Sequence, residues 1–343
     1  MLYLAYDEMI STLARALQLA GLDDVRAARL ARVFAQNSAE GVYSHGVNRF
    51  PRFLKDVKDG VVDVHAAHER VSGLGGLEVW DAHFGVGPLT AEDAMARACE
   101  LAETHGIACV AVRNSNHWMR PGRYGWQAAD RGMIGICWSN TSANMPAWGA
   151  VDPKLGNNPI VLAIPREKGH VVVDMAMTQF AYGKLEIARL SGEQLPIPGG
   201  YDEAGNLTTD PAAIAKTRRM LPIGYWKGSS LSLALDLIAS AVSMGRSVSA
   251  ISRDPFGTEH GLTQTFIAIN FRGAVDAERA DEILDDAVNF LLSSTPVDPD
   301  SPVRYPGQNI AAIREKNVKN GTPIHEETWQ KVLDFIAARE ENH

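Results

Sequence analysis

The sequence predicts an α/β or α+β fold, and three observations carry that reading. Strand-like runs at 107–113, 133–139, 160–164 and 171–175 alternate with helical periodicity, so part of a sheet is expected to be buried on both faces. Both ends of the chain carry helical patterns instead. The glycine clusters Gly73-Leu74-Gly75-Gly76 and Gly85-Val86-Gly87-Pro88 miss the G-x-G-x-x-G spacing, which argues against an ordinary Rossmann dinucleotide site.

In chain order, Met9, Ile10, Leu13, Ala14 and Leu17 fall at helical spacing over 7–19, and Gly21 stops that helix. A second helix is expected from Asp23 or Asp24 to about Ala39, so that a helical hairpin delivers His45 at its exit. Residues 69–73 and 77–81 read as short strands joined by a Gly75-Gly76 turn. Pro88 marks the first turn of a helix that reaches His105. Beyond Lys227, residues Leu231, Leu233, Ala234, Leu235, Leu237, Ile238 and Val242 are too continuously apolar for a surface, and a core helix is expected there. Residues 265–271 read as a strand, 277–292 as a helix, the proline-rich 293–306 as an irregular connection, and 326–339 as a final amphipathic helix.

At 343 residues the chain exceeds what one core usually organises, so two domains are expected. Forty-one acidic residues against thirty-three basic ones give a net charge of -8, with no Lys/Arg block to track a phosphate backbone; nucleic acid is excluded as a partner. Apolar runs such as 107–112 fall far short of the roughly 20 residues that span a bilayer, and no basic segment leads into an apolar one at the N-terminus, so no membrane association and a cytoplasmic location are expected. Cys99, Cys109 and Cys137 are odd in number and form no C-x-x-C pair, which suits reduced thiols. His65-x-x-His68 lacks a third ligand, so no metal site is expected.

Two histidines stand in patterned polar surroundings, Ser44-His45-Gly46-Val47-Asn48-Arg49-Phe50 and Asn114-Ser115-Asn116-His117-Trp118. An imidazole beside a hydroxyl, with a guanidinium four residues on that can grip a planar carboxylate, is equipment for acid-base chemistry on a small organic acid. A hydrolase dyad of Ser44 and His45 is disfavoured, because adjacent residues rarely orient as nucleophile and base and no G-x-S-x-G occurs. The run Tyr225-Trp226-Lys227-Gly228-Ser229-Ser230 precedes the expected core helix, where free amides, two hydroxyls and a lysine could hold a phosphate. Asp174 closes the strand Val171-Val172-Val173, and Ser139-Asn140-Thr141 and Asn157-Asn158 place further polar groups at strand ends.

Over nearly its whole length the sequence resembles the LDH2/MDH2 oxidoreductase family, the malate/L-lactate dehydrogenase type. The likeness is carried by 41–53 around Ser44-His45-Gly46, by Asn116-His117-Trp118-Met119-Arg120, Tyr124-Gly125-Trp126, Gly135-Ile136-Cys137-Trp138 and Gly224-Tyr225-Trp226-Lys227-Gly228-Ser229. It implies a homodimeric reductase that transfers hydride from NADH, or alternatively NADPH, to the 2-keto group of a keto acid or keto-sugar acid. It also implies a non-Rossmann mixed-sheet cofactor domain over 119–282 and a largely helical domain built from 1–118 and 283–343. His45 is implied as proton donor; the residue pattern itself adds Ser44 to orient the ring or bind the oxyanion, Arg49 to clamp the carboxylate and His117 as a second polar contact, with Asn116, Arg120 and Asp174 as lesser candidates. The cofactor is expected on Val172, Val173, Asp174, Met175, Ala176, Met177, Thr178, Trp226, Lys227, Gly307, Gln308 and Asn309. The last two stand where the resembled sequences carry an imidazole and a carboxylate, so neutral amides replace charge there.

Overall fold

The computed structural model describes residues 1–341. Strand β1 (Leu2–Leu4) leads into α1 (Tyr6–Leu19), whose first turn carries Asp7 and Glu8 against the helix dipole and whose inner face buries Met9, Leu13, Ala16 and Leu17. The next helix, α2 (Asp24–Ala39), is capped by Asp23, which accepts the Arg26 amide at 2.9 Å. Two single 3-10 turns over 43–49 follow, then α3 (Phe50–Lys58), whose Phe50 ring meets Phe34 edge-on at 5.0 Å. The hairpin β2 (Glu69–Leu74) and β3 (Leu77–Asp81), the crossover helix α4 (Gly87–His105) and β4 (Ile107–Asn116) come next.

The middle of the chain supplies α5 (Gly122–Ala129), β5 (Ile134–Ser139), β6 (Met145–Pro146), β7 (Pro153–Leu155), β8 (Ile160–Ile164) and β9 (Val171–Met175). An excursion of α6 (Tyr182–Ser191), β10 (Gly200–Tyr201), β11 (Leu207–Thr208) and α7 (Pro211–Thr217) precedes α8 (Trp226–Ser243) and the short α9 (Val248–Ile251). The chain closes with β12 (His260–Ile269), α10 (Ala277–Leu292), α11 (Ile310–Asn320), β13 (Thr322–Ile324) and α12 (Glu326–Glu340).

One seven-stranded sheet of order β2-β3-β4-β12-β5-β8-β9 organises the molecule, and only its β3–β4 pair is parallel. The mixed sheet matches the expected fold class. Val110, Val112, Cys137, Val161 and Phe266 are fully buried between the sheet and the helices α4 and α5. A second core joins the two chain ends: Met9, Leu13, Phe34 and Phe50 pack with Ile324, Trp329 and Val332, and β1 pairs with β13. The sheet takes β2, β3 and β4 from before residue 118 and its other strands from after it, while α10 spans residue 282. The expected join at 118 therefore divides one sheet, and that at 282 divides one helix.

The segment after Lys227 is a helix, but it is not enclosed. Leu231, Leu233, Leu237 and Ile238 lie 40–57% exposed, while its buried line runs Ser229, Ser232, Leu235, Asp236, Ala239 and Ser243. Hydrogen bonds fix that polar face: the Asn140 amide and the Val248 N–H donate to Asp236 at 2.8 and 3.0 Å, and Asn158 donates to the Ser232 hydroxyl at 3.1 Å. The apolar leucines consequently face outward. No helix among the described residues is long and apolar enough to cross a membrane.

Candidate active site

The end of α2 builds the seat of the first histidine. Asn37 donates its side-chain amide to the His45 carbonyl at 2.9 Å, and the Val47 amide donates to the Ser38 hydroxyl at 2.8 Å. A side chain at Gly46 would run into Ser38, so that close approach requires glycine. Ser44 Oγ lies 2.9 Å from His45 Nδ1, a contact that fixes the ring. Gly183 at the start of α6 covers Ser44, where an added Cβ would stand 3.0 Å from the serine Cβ.

His117 arrives from the end of β4 and stacks on His45, with ring centroids 5.7 Å apart and planes 16° from parallel. Asn116 holds this end of the strand by donating to the carbonyls of Val61, Phe84 and Gly85 at 2.6 to 3.1 Å. The Met119 amide donates to His117 Nδ1 at 3.0 Å, so the neutral ring carries its proton on Nε2. That nitrogen stands 3.8 Å from Glu259 Oε2. Glu259 has no sequence signature: it enters because β12 pairs with β4 in the register His260 to Asn116, which sets the residue before β12 across from the residue after β4.

Charge in this pocket favours neutral imidazoles. Burial, then the nearby Arg49 and Arg120 guanidinium groups, push His45 down to about 4. Burial together with Arg49, His45 and Arg52 drives His117 well below the usual histidine range. These surroundings hold His45 as imidazole at neutral pH, whereas the sequence reading places an imidazolium there. A substrate carboxylate bound beside it supplies the negative charge that restores the proton.

Arg120 connects this pair to the sheet edge. It is 4% exposed, bonds Glu40 directly and stands 3.8 Å from Asp174 Oδ2 in β9. Asp174 also accepts the Gly122 amide at 2.9 Å, and a Cβ on Gly122 would sit 2.5 Å from the same oxygen. Burial raises the Asp174 carboxyl, with Arg120 and the Gly122 N–H acting against it.

The segments singled out for a dinucleotide meet along β9, an edge strand. The Val172 amide donates to Pro306 at 3.0 Å, which lays Gly307, Gln308 and Asn309 beside the strand's start. Past the strand's end, the Met177 carbonyl accepts from Ile223, and Thr178 bridges to Pro222, just ahead of Trp226 and Lys227. Val173, Met175 and Ala176 lie between these joins. Beside Gly307, the Trp126 indole nitrogen is buried without a hydrogen-bond partner, and Trp126 lines a cavity of about 400 Å³ with Arg123, Asp130, Ile310 and Arg314. Glu40 and Glu92 line the same cavity and pair with its Arg314 and Arg123, so the unpaired donor beside this turn is the Trp126 indole. A cavity of about 570 Å³ lined by Asp81, Arg113 and Arg246 shares no residue with the histidine pair.

The amides at the start of α8 differ from expectation. The helix begins at Trp226, and the N–H groups of Lys227, Gly228 and Ser229 donate to Gly224, Ile223 and Tyr225. Ser229 Oγ accepts the Trp148 amide at 3.1 Å. The left-handed conformations of Gly224 and Tyr225, with φ of 58° and 60°, fold the chain back so that these amides are consumed locally. What remains for a phosphate is the exposed Lys227 ammonium with the exposed Ser230 hydroxyl. Elsewhere His68 stacks on Trp80 at 4.5 Å, and Asn140, Thr141, Asn157 and Asn158 bond one another or α8 as framework.

The chain belongs to the malate/L-lactate dehydrogenase family, whose sequence model matches residues 4–333, and dehydrogenase chemistry of this class uses a nicotinamide cofactor. Among curated relatives, 2,3-diketo-L-gulonate reductase of Escherichia coli O6:K15:H31 (strain 536 / UPEC) is 44% identical over 327 residues, covering 95% of this chain and 98% of that one. Sulfolactate dehydrogenase from Methanocaldococcus jannaschii superposes with a TM-score of 0.88 at 26% identity over 99% and 98% of the two chains. Malate dehydrogenase from Entamoeba histolytica shares the fold with a TM-score of 0.93 at 22% identity, covering 99% and 98%.

Proposed function

We propose that the chain is an NADH-dependent reductase of a small keto-sugar acid, converting 2,3-diketo-L-gulonate to 3-dehydro-L-gulonate. The observation that carries this reading is the stacked His45/His117 pair under the charge of Arg49, in a chain 44% identical to relatives named for that substrate. The bound nicotinamide supplies the hydride. Arg49 grips the substrate carboxylate, whose negative charge lets His45 take a proton from solvent; His45 then gives that proton to the carbonyl oxygen as it becomes an alkoxide. Ser44 holds the His45 ring, and His117 presents its Nε2–H to the carbonyl or a hydroxyl.

Val172 to Thr178, Trp226, Lys227, Gly307, Gln308 and Asn309 are assigned to the cofactor, with the chain-end layer providing the substrate groups. NADH is preferred over NADPH on family resemblance, and Gln308 and Asn309 add no positive charge that would reward a further phosphate. A homodimer is proposed on the exposed leucine face of α8, and a cytoplasmic location on the unpaired cysteines. Incubating the purified protein with NADH and a panel of keto acids tests the reading: NADH is consumed with 2,3-diketo-L-gulonate in preference to pyruvate and oxaloacetate, and no consumption with any keto acid overturns it.

Two expected results arise directly. With NADH saturating, kcat/KM for reduction falls about tenfold per pH unit across roughly pH 5 to 8, because His45 must be protonated and loses its proton as pH rises through about 4. In the oxidative direction kcat/KM rises through the same low value and is level above it. A flat reductive profile removes His45 from the role. Lys227→Met weakens NADH binding severalfold, and the loss shrinks with added salt because screening already attenuates the wild-type contact. Nicotinamide fluorescence titration reads this; equal affinities rule out the contact.

A further inference from the structure

We propose that Glu259 sets the charge selectivity of the substrate site, admitting keto acids with one carboxylate and a hydroxylated tail and rejecting those with a second anionic group. This rests on reading the histidine pair as a keto-acid site. Glu259 Oε2 lies 3.8 Å from His117 Nε2, and its place is firmly built. On one side Arg52 of α3 donates to the Thr258 hydroxyl at 2.9 Å. On the other, Asp254 bonds His260 Nδ1 at 3.0 Å and Arg246 at 2.5 Å, and the Phe84 ring stacks on His260 at 4.4 Å.

Burial pushes the Glu259 carboxyl up, Arg49 and Arg52 act against that, and Asp56 adds to it. Arg52 is paired with Asp56 at 3.4 Å, so Arg49 and Glu259 balance one another, and both histidines are held toward the neutral form. One substrate carboxylate takes Arg49. A second carboxylate or a sulfonate then meets Glu259 with no further unpaired cation in this cluster, a like-charge contact in a poorly solvated place. A hydroxyl at the same position instead donates a hydrogen bond to the Glu259 carboxylate. Malate and sulfolactate, the compounds named for two structural relatives, each carry two anionic groups.

Dead-end complexes test the inference without turnover. The protein with NADH is titrated calorimetrically with L-lactate and with L-malate, in wild type, Glu259→Gln and Glu259→Asp, and kcat/KM is measured for pyruvate and oxaloacetate in parallel. Glu259→Gln is expected to improve malate relative to lactate by about tenfold or more, and oxaloacetate relative to pyruvate alike. Glu259→Asp keeps the wild-type ranking. An unchanged ratio in Glu259→Gln, in a protein that binds lactate and reduces pyruvate, overturns the inference alone. Failure of the wild type to bind either acid or to reduce any keto acid overturns it together with the proposed function.

Discussion

Replacing His45 by alanine lowers kcat for keto-acid reduction by at least about 10²-fold while NADH affinity is preserved. The loss is large because proton donation is made only in the transition state, and small for the cofactor because the segments assigned to it meet along β9, whose Asp174 stands beside Arg120 and not beside His45 itself. Stopped-flow NADH oxidation and a fluorescence titration on the same preparation separate the two effects. Near-normal turnover in the variant would return the proton to another donor, with His117 the next candidate.

Arg120→Met destabilises the fold by about 3–5 kcal/mol, the range found when one partner of a buried ion pair is removed. Arg120 is 4% exposed and Glu40 5%, and without the guanidinium the Glu40 carboxylate keeps the Gln36 amide at 2.8 Å and a 3.5 Å contact with Arg314, while Asp174 keeps the Gly122 amide. Denaturant titration gives the difference directly; a loss under about 1 kcal/mol contradicts the assignment. The variant carries a second signature. Arg120 is one of the charges that depress His45, so its removal moves the pH dependence of kcat/KM upward.

Much of this fold is legible from periodicity. The leucine and alanine spacing of α1 and α2, the Gly75-Gly76 turn between β2 and β3, and the apolar runs of β8 and β9 are local, and local pattern finds them. What escapes depends on distant partners. Ser115 and Asn116 look like loop, yet β4 extends through them because Gln264 and three carbonyls satisfy their polar groups. The apolar face of α8 reads as core, because composition does not distinguish a helix packed inside a chain from one presenting leucines outward.

The site divides in the same way. His45, Ser44, Arg49 and His117 are recognisable as residue types in a pattern, and the structure brings both histidines together. Glu259 is invisible beforehand because only the β4–β12 register sets it opposite His117. The neutral state of His45 is equally hidden, since it follows from burial and from Arg120, seventy-five positions away in the chain. At Lys227 the pattern of a helix start is real, but the left-handed Gly224 and Tyr225 that consume its amides are not readable from residue types.

The central claim is hydride transfer to a 2-keto carbon with the proton coming through His45. Single turnover of the protein with 2,3-diketo-L-gulonate and NADH deuterated at the nicotinamide C4, followed by mass spectrometry of the product, tests it most directly. The account predicts one deuterium, bonded to C2 of the product, formed with wild type and lost by at least about 10²-fold in rate with His45→Ala. A product without deuterium at C2, or the same rate in both proteins, would contradict it.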